Sequence, residues 1–342
     1  MPPDIRKQKK LRCLKYTIFI LSLTDMINQK ISFCIALLAT SIATKSLAQQ
    51  PSIFLADPTI FKDQGKYYLY GTGSPQGFPV YESDNLESWK PAKGSIGGLA
   101  LTRGETFGTQ GFWAPQVILH KGVYYMAYTA NEQIAIAKAP GPAGPFRQDS
   151  VFALSGTGKQ IDPFIFFDDD GKVYLYHVKL QHGNRIFVTE MKPDLSDVVP
   201  GTEKECISGT EEWENTARSD WPVTEGPTVL KYKNSYYLIY SANDFRNRDY
   251  AVGYATSASP TGPWKKYENN PIISRHNIGH NGTGHGDIFM DSKHNMNYVL
   301  HTHYSEEKVS PRATGVLKLS FKDVKSGPAV LMADTTSFKW LQ

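Results

Sequence analysis

Asp57, Asp162 and Glu225 stand just ahead of Pro58, Pro163 and Pro227, and each opens a short apolar run. Two carboxylic acids that face each other can cleave a glycosidic bond. One is protonated and delivers a proton to the leaving oxygen, and the other is ionised and activates water. A third carboxylate beside the acid raises its pKa by repulsion and helps orient it. Taken singly these residues carry little, because Asp before Pro is a common turn opener and an Asx-turn accounts for Asp57 or Asp162 alone. Their register in the chain makes them candidates.

That register comes from a segment that returns five times: ADPTIFKDQGKYYLYGT from Ala56, WAPQVILHKGVYYMAYT from Trp113, IDPFIFFDDDGKVYLYH from Ile161, EGPTVLKYKNSYYLIYS from Glu225 and GHGDIFMDSKHNMNYVLHT from Gly284. The period, roughly 50 to 60 residues, is in the range of propeller blades. Alignment on the prolines puts Asp57, Ala114 and Asp162 at one position. Glu225 falls one residue earlier because Gly226 is inserted before Pro227, and matching Ile288-Phe289 to Ile60-Phe61 brings His285 to the shared place. Between the main copies lie further strand signals, such as FPVYESDNLESWK, IAIAKAPGPAGPF and AVGYATSASPTGPW. Each unit therefore supplies about four strands, the content of a blade, and helical periodicity is hard to find after Gln49. The expected fold is all-β: a five-bladed β-propeller forming a single domain over residues 50–342. Innermost strands of a propeller run side by side around a channel, so three acids from distant sequence converge at its mouth. Like charges crowded there cost stability unless a function or a cation offsets them. The paired tyrosines, as in Tyr67-Tyr68-Leu69-Tyr70 and Tyr236-Tyr237-Leu238-Ile239-Tyr240, point to opposite sheet faces and are read as packing between blades.

Residues 1–49 are read as a leader that includes a signal peptide. Ile31 to Ala43 is too short an apolar run to span a bilayer, and Ser46-Leu47-Ala48 gives a small-residue exit with cleavage after Ala48. Met26 is an alternative start to Met1. The leader holds eight Lys or Arg against two Asp or Glu, a net of +6, so the whole-chain charge of +4 leaves −2 beyond it. A nucleic-acid partner, which needs a basic surface, has no support. Only Cys206 remains after the leader, so no internal disulfide and no thiolate metal site is available. The expected protein is periplasmic or secreted, without stable membrane association. The sequence is silent on its oligomeric state.

The ADPTIF, WAPQV, IDPFIF, TEGPTV and GHGDIF series resembles glycoside hydrolase family 43, the five-bladed propeller glycosidases, over residues 50 to 320. The resemblance implies an inverting mechanism: Asp57 as the general base, Asp162 tuning and orienting the acid, and Glu225 as the general acid. It also implies substrate contacts from Trp113, in the WAP motif, and from Arg312, which resembles a last-blade arginine that reaches a sugar hydroxyl. The family's inner-blade histidine falls on His285, beside a central water or a structural calcium ion. Hydrolysis by two carboxylates requires no cofactor. The implied substrate is an oligosaccharide or polysaccharide, with α-L-arabinofuranosidase or β-xylosidase action releasing a terminal pentose from plant polysaccharide fragments. Endo-arabinanase action and a propeller that binds sugar without cutting it are the alternatives. A retaining fructan-type hydrolase is disfavoured by FLADPT and Gln160-Ile161-Asp162-Pro163, which depart from its motifs.

Other signals are read as structure. Asp168-Asp169-Asp170-Gly171 is expected to be a hairpin turn rather than a calcium loop. Most of the cluster His276, His280, His294, His301 and His303 is read as ordinary loop and strand residues, and Trp89 and Trp264 as blade packing. Phe112, Trp221, Phe245 and Arg248 are candidates for shaping substrate subsites.

Overall fold

The computed structural model describes residues 51–342, so the leader and its cleavage site lie outside the described residues. Blade 1 is β1 (Ala56–Asp63), β2 (Lys66–Thr72), β3 (Gly77–Ser83) and β4 (Lys90–Pro91), with β5 (Leu99–Thr102) also paired to β3. Blade 2 is β6 (Trp113–His120), β7 (Val123–Ala130) and β8 (Gln133–Ala139), and blade 3 is β9 (Gln160–Phe167), β10 (Val173–Leu180), β11 (Asn184–Met191) and β12 (Lys204–Ile207). Blade 4 is β13 (Thr224–Tyr232), β14 (Ser235–Ala242), β15 (Ala251–Ser257) and β16 (Lys265–Lys266), and blade 5 is β17 (Gly284–Met290), β18 (Met296–Thr302), β19 (Ala313–Lys322) and β20 (Val330–Trp340). All named pairings are antiparallel, and the first strands touch in the ring order β1, β6, β9, β13, β17 and back to β1. The expected four strands per unit vary: blade 2 has three, extended by a lone bridge between Lys138 and Arg147, and blade 1 has five.

Both faces of each blade are covered, which explains the tyrosine-rich second strands. In β2, Tyr67 and Leu69 pack toward blade 5 with Phe289 and Val299, whereas Tyr70 packs toward blade 2 with Tyr128 and Met126. In β14, Tyr237 and Ile239 face blade 5 while Leu238 and Tyr240 face blade 3. The period of two puts alternate residues into alternate interfaces. Burying a ring of this size contributes roughly 2–3 kcal/mol, and the phenol tip still finds a partner: Tyr128 donates to Phe107 O at 2.9 Å and Tyr237 to Ala329 O at 2.7 Å.

The ring closes without a shared strand. The segment before β1 lies against blade 5 instead: Thr314 N donates to Ile53 O at 3.0 Å, Leu55 N donates to Thr314 Oγ1 at 3.0 Å, and Ser52 N donates to Leu341 O. Ile53, Leu55 and Leu341 are buried in that seam with Trp89 beside them. Asp168–Gly171 is the β9–β10 turn, where Asp168 accepts from the hydroxyl of Tyr236 and faces Lys231.

Candidate active site

In every innermost strand the ladder slips at the same place. The slips lie at Ala56/Thr59, Trp113/Gln116, Ile161/Phe164, Glu225/Thr228 and Gly284/Gly286. Within each slip one residue adopts positive φ: Asp57 at 49°, Ala114 at 47°, Asp162 at 56°, Gly226 at 60° and His285 at 39°. A bulge of this kind re-aims a side chain. Four non-glycine residues hold a conformation that costs on the order of 1–3 kcal/mol each. The fifth, in blade 4, must be glycine, because a Cβ on Gly226 would lie 2.8 Å from the His285 ring. The axial ring is therefore Asp57, Ala114, Asp162, Gly226 and His285. Glu225 occupies the preceding position, which it shares with Trp113 and Ile161, and all three line the pocket above the ring.

The bulge amides are held by the neighbouring blade. Ala114 N donates to Thr72 Oγ1 (3.0 Å), Asp162 N to Thr129 Oγ1 (2.9 Å), His285 N to Ser241 Oγ (2.7 Å) and Asp57 N to His301 Nδ1 (3.1 Å). Thr72, Thr129, Ser241 and His301 pair with Ala56, Trp113, Glu225 and Gly284 on their own blades, so they occupy equivalent sites. In blade 3 that site is Val178, which pairs with Ile161 and has no acceptor. The Gly226 amide goes instead to Asp162 Oδ2 at 3.1 Å. A carboxylate thus grips the peptide that carries Glu225.

The pocket encloses about 350 Å³ and is lined by Asp57, Trp113, Asp162, Asn184, Trp221, Glu225, Asp244, Phe245, Arg246, His285 and Arg312, among others. It brings together all six residues singled out as catalytic or substrate-binding. Asp57 Oδ1 faces Arg312 at 3.2 Å, His285 Nδ1 at 3.3 Å and His301 Nδ1 at 3.6 Å, and its Oδ2 accepts from Thr72 at 2.6 Å. Burial pushes this carboxyl up, but Arg312, the two imidazoles and the Thr72 hydroxyl together outweigh it, so its pKa is lowered. Glu225 has the opposite surroundings. Burial pushes it up to about 7, although hydrogen bonds from Tyr250 to Oε1 (2.8 Å) and Asn184 to Oε2 (2.9 Å) favour its anion. Burial, then the charges of Glu225 and Asp57, raise Asp162 as well. Asp57 is thus ionised at neutral pH, while the Asp162–Glu225 pair retains a proton.

Several readings need correction. His301 is not an ordinary strand residue. It is fully buried beneath Asp57, stacked on Tyr250 with centroids 5.7 Å apart, and its Nε2 sits 3.3 Å from Arg312. Phe112 shapes no subsite, being buried between Phe78 and Tyr128. Trp221 and Phe245 do border the pocket, but Arg246 stands there in place of Arg248. His303 supports this wall by meeting Phe245 O at 2.8 Å, and Arg312 lies over the Phe245 ring. Tyr250, Asn184 and Asp244 escaped notice because they lie outside the repeated motif. For Tyr250 a usable signal was its place directly before β15.

A calcium ion beside His285 needs six to eight oxygen ligands. The nearby carboxylate oxygens of Asp57 and Asp162 already face His285 Nδ1 at 3.3 and 3.8 Å, and the Arg312 cation stands against Asp57. Among the described residues no group of three or more His, Cys, Asp or Glu side chains is arranged to hold a metal. With those oxygens facing His285 and Arg312, a calcium ion near His285 would have to draw its oxygen ligands from elsewhere, water included.

The family model for glycosyl hydrolases family 43 matches residues 51–323, which span all five blades up to β19. The chain belongs to glycosyl hydrolases family 43. Among solved structures, it is similar to a crystal structure of an endo-1,4-β-xylanase from Bacteroides thetaiotaomicron. That match has 38% identity and a TM-score of 0.75 and covers 82% of this chain and 94% of the other. It is 26% identical to the extracellular endo-α-(1→5)-L-arabinanase 2 of Bacillus subtilis, over 90% of this chain and 70% of that one. It is equally identical to a xylosidase/arabinosidase of Butyrivibrio fibrisolvens, spanning about half (49%) of that relative's length.

Proposed function

We propose that this family 43 glycoside hydrolase cleaves with inversion and releases a terminal pentose, as an α-L-arabinofuranosidase or β-xylosidase acting on plant polysaccharide fragments. The opposite electrostatic surroundings of Asp57 and Glu225 carry this reading. Asp57, kept ionised by Arg312 and His285, takes a proton from the attacking water. Glu225, kept protonated by burial, gives its proton to the leaving oxygen, and Tyr250 and Asn184 then stabilise the carboxylate that forms. Asp162 orients the acid through the Gly226 amide. Trp113, His285 and Arg312 bind the sugar in the pocket. The scheme asks for no cofactor. The leader, which lies outside the described residues, makes the protein periplasmic or secreted. Among the described residues no helix is long and apolar enough to cross a membrane.

A second reading is internal cleavage of the chain. Its support is the likeness to relatives named endo-arabinanase and endo-xylanase. Incubation with arabino- and xylo-oligosaccharides, followed by chromatography, separates the two readings. Free arabinose or xylose alone fits exo action, and short oligomers from a polymer fit endo action. Glu225→Gln is expected to abolish cleavage of oligosaccharides while sparing aryl glycosides with good leaving groups. Equal losses on both classes would remove Glu225 from the role of acid.

A further inference from the structure

Glu225 is touched by two side chains whose arrangement is more specific than its proton donation alone requires. Asn184 opens β11, and its backbone is fixed from both sides: its N–H donates to Pro222 O at 2.9 Å and its carbonyl accepts from Thr224 Oγ1 at 3.1 Å. The side chain bridges two partners. Trp221 Nε1 donates to Asn184 Oδ1 at 2.9 Å, and Asn184 Nδ2 donates to Glu225 Oε2 at 2.9 Å. An indole N–H can only donate, so the amide end it meets must be the oxygen, and the end left for Glu225 must be the NH₂. Without the indole the amide is free to turn over and present its oxygen, which would accept the acid's proton and hold it back.

We propose that Trp221 and Asn184 are a positioning pair, in which the indole locks the amide so that its NH₂ caps Glu225 Oε2 while that oxygen releases its proton. The Oε2–H bond breaks toward the glycosidic oxygen, and its electron pair stays on Oε2, where the Asn184 NH₂ meets it. The inference rests on Glu225 being the acid. The other groups facing Glu225 are Tyr250 on Oε1, Asp57, Asp162 through the Gly226 peptide, and Asp244 with Arg246 from the loop after β14.

The test uses Trp221→Phe, which keeps a ring but loses the N–H, and Asn184→Ala, which loses the cap. Glutamate Cδ is followed by carbon-13 NMR titration, with the Glu225 resonance assigned by its loss in Glu225→Gln, and kcat/KM on an oligosaccharide is measured across pH. Loss of one hydrogen bond to the carboxylate is expected to raise the Glu225 midpoint by about one unit in both variants. The alkaline limb of kcat/KM should move with it, and the plateau should fall about tenfold, with KM of Trp221→Phe within about threefold of the parent. An unmoved Glu225 midpoint in either variant, even with lower activity, overturns the proposal. A midpoint that rises while the alkaline limb stays put removes Glu225 from the role of acid, and the proposal falls with that reading although the Trp221–Asn184–Glu225 hydrogen bonds stand.

Discussion

Tyr250→Phe deletes one oxygen from the site and little else. The ring is fully buried and stacked 13° from parallel on His301, and it packs against Gly284, so phenylalanine fills the same space. The lost group is the hydroxyl that donates to Glu225 Oε1 at 2.8 Å. A hydrogen bond to a charged acceptor contributes roughly 1.5–3 kcal/mol. Because this one favours the ionised form, its removal should raise the Glu225 midpoint by about one to two units. The alkaline limb of kcat/KM, set by Glu225 at about 7, is therefore expected to move up to about 8–9. The acid limb should stay where it is, because Asp57 keeps Arg312, His285 and Thr72. The assay is the pH dependence of kcat/KM on an oligosaccharide whose leaving group needs protonation. An alkaline limb that stays put or moves down would refute both the assignment of Glu225 and the sign of the Tyr250 contribution.

Arg312→Met should raise the Asp57 midpoint and carry the acid limb of kcat/KM upward. A carboxyl with a lowered pKa contributes stability that is present above its unfolded value and lost as pH falls. The variant's deficit, roughly 3 kcal/mol for a broken buried pair, should therefore be nearly as large at pH 4 as at pH 7 and shrink only at about pH 2, below the ordinary carboxyl range; a deficit in unfolding that is equal at pH 7 and pH 2 would count against the pair. Gly226→Ala puts a Cβ 2.8 Å from the His285 ring at a φ of +60°, whereas Gly171→Ala, at +84°, meets nothing within 4 Å. Both carry backbone strain of about 1–2 kcal/mol. Gly226→Ala should lose at least about 2 kcal/mol more in denaturant unfolding and also lose activity; equal losses would mean that the His285 contact carries no energy.

The blade ring was legible in the sequence because the signals that define it are local. Each copy combines a marked opening (a proline in four of the five), a turn and a strand whose two faces are both apolar, and only a ring of packed blades covers both faces. Asp57, Asp162 and His285 could be aligned for the same reason: each sits at a fixed offset from a repeated strand. The same alignment took Gly226 for an insertion, although it is the blade-4 member of the axial ring and Glu225 belongs with Trp113. That distinction is a matter of φ at a bulge, which the sequence expresses only through glycine.

Groups drawn from loops and second strands depended on the tertiary structure. His301 looked like one more strand histidine until blade 5 packed against blade 1 and set it beneath Asp57. Tyr250 and Asn184 reach Glu225 from a loop and from another blade, at separations no repeat records. Phe112 and Arg248 stood near the right loops but lie outside the pocket. By itself the sequence determined which acids exist and which blades carry them. Burial and neighbouring charge, which only the folded ring supplies, decided that the Asp57 carboxyl is held down while those of Asp162 and Glu225 are pushed up.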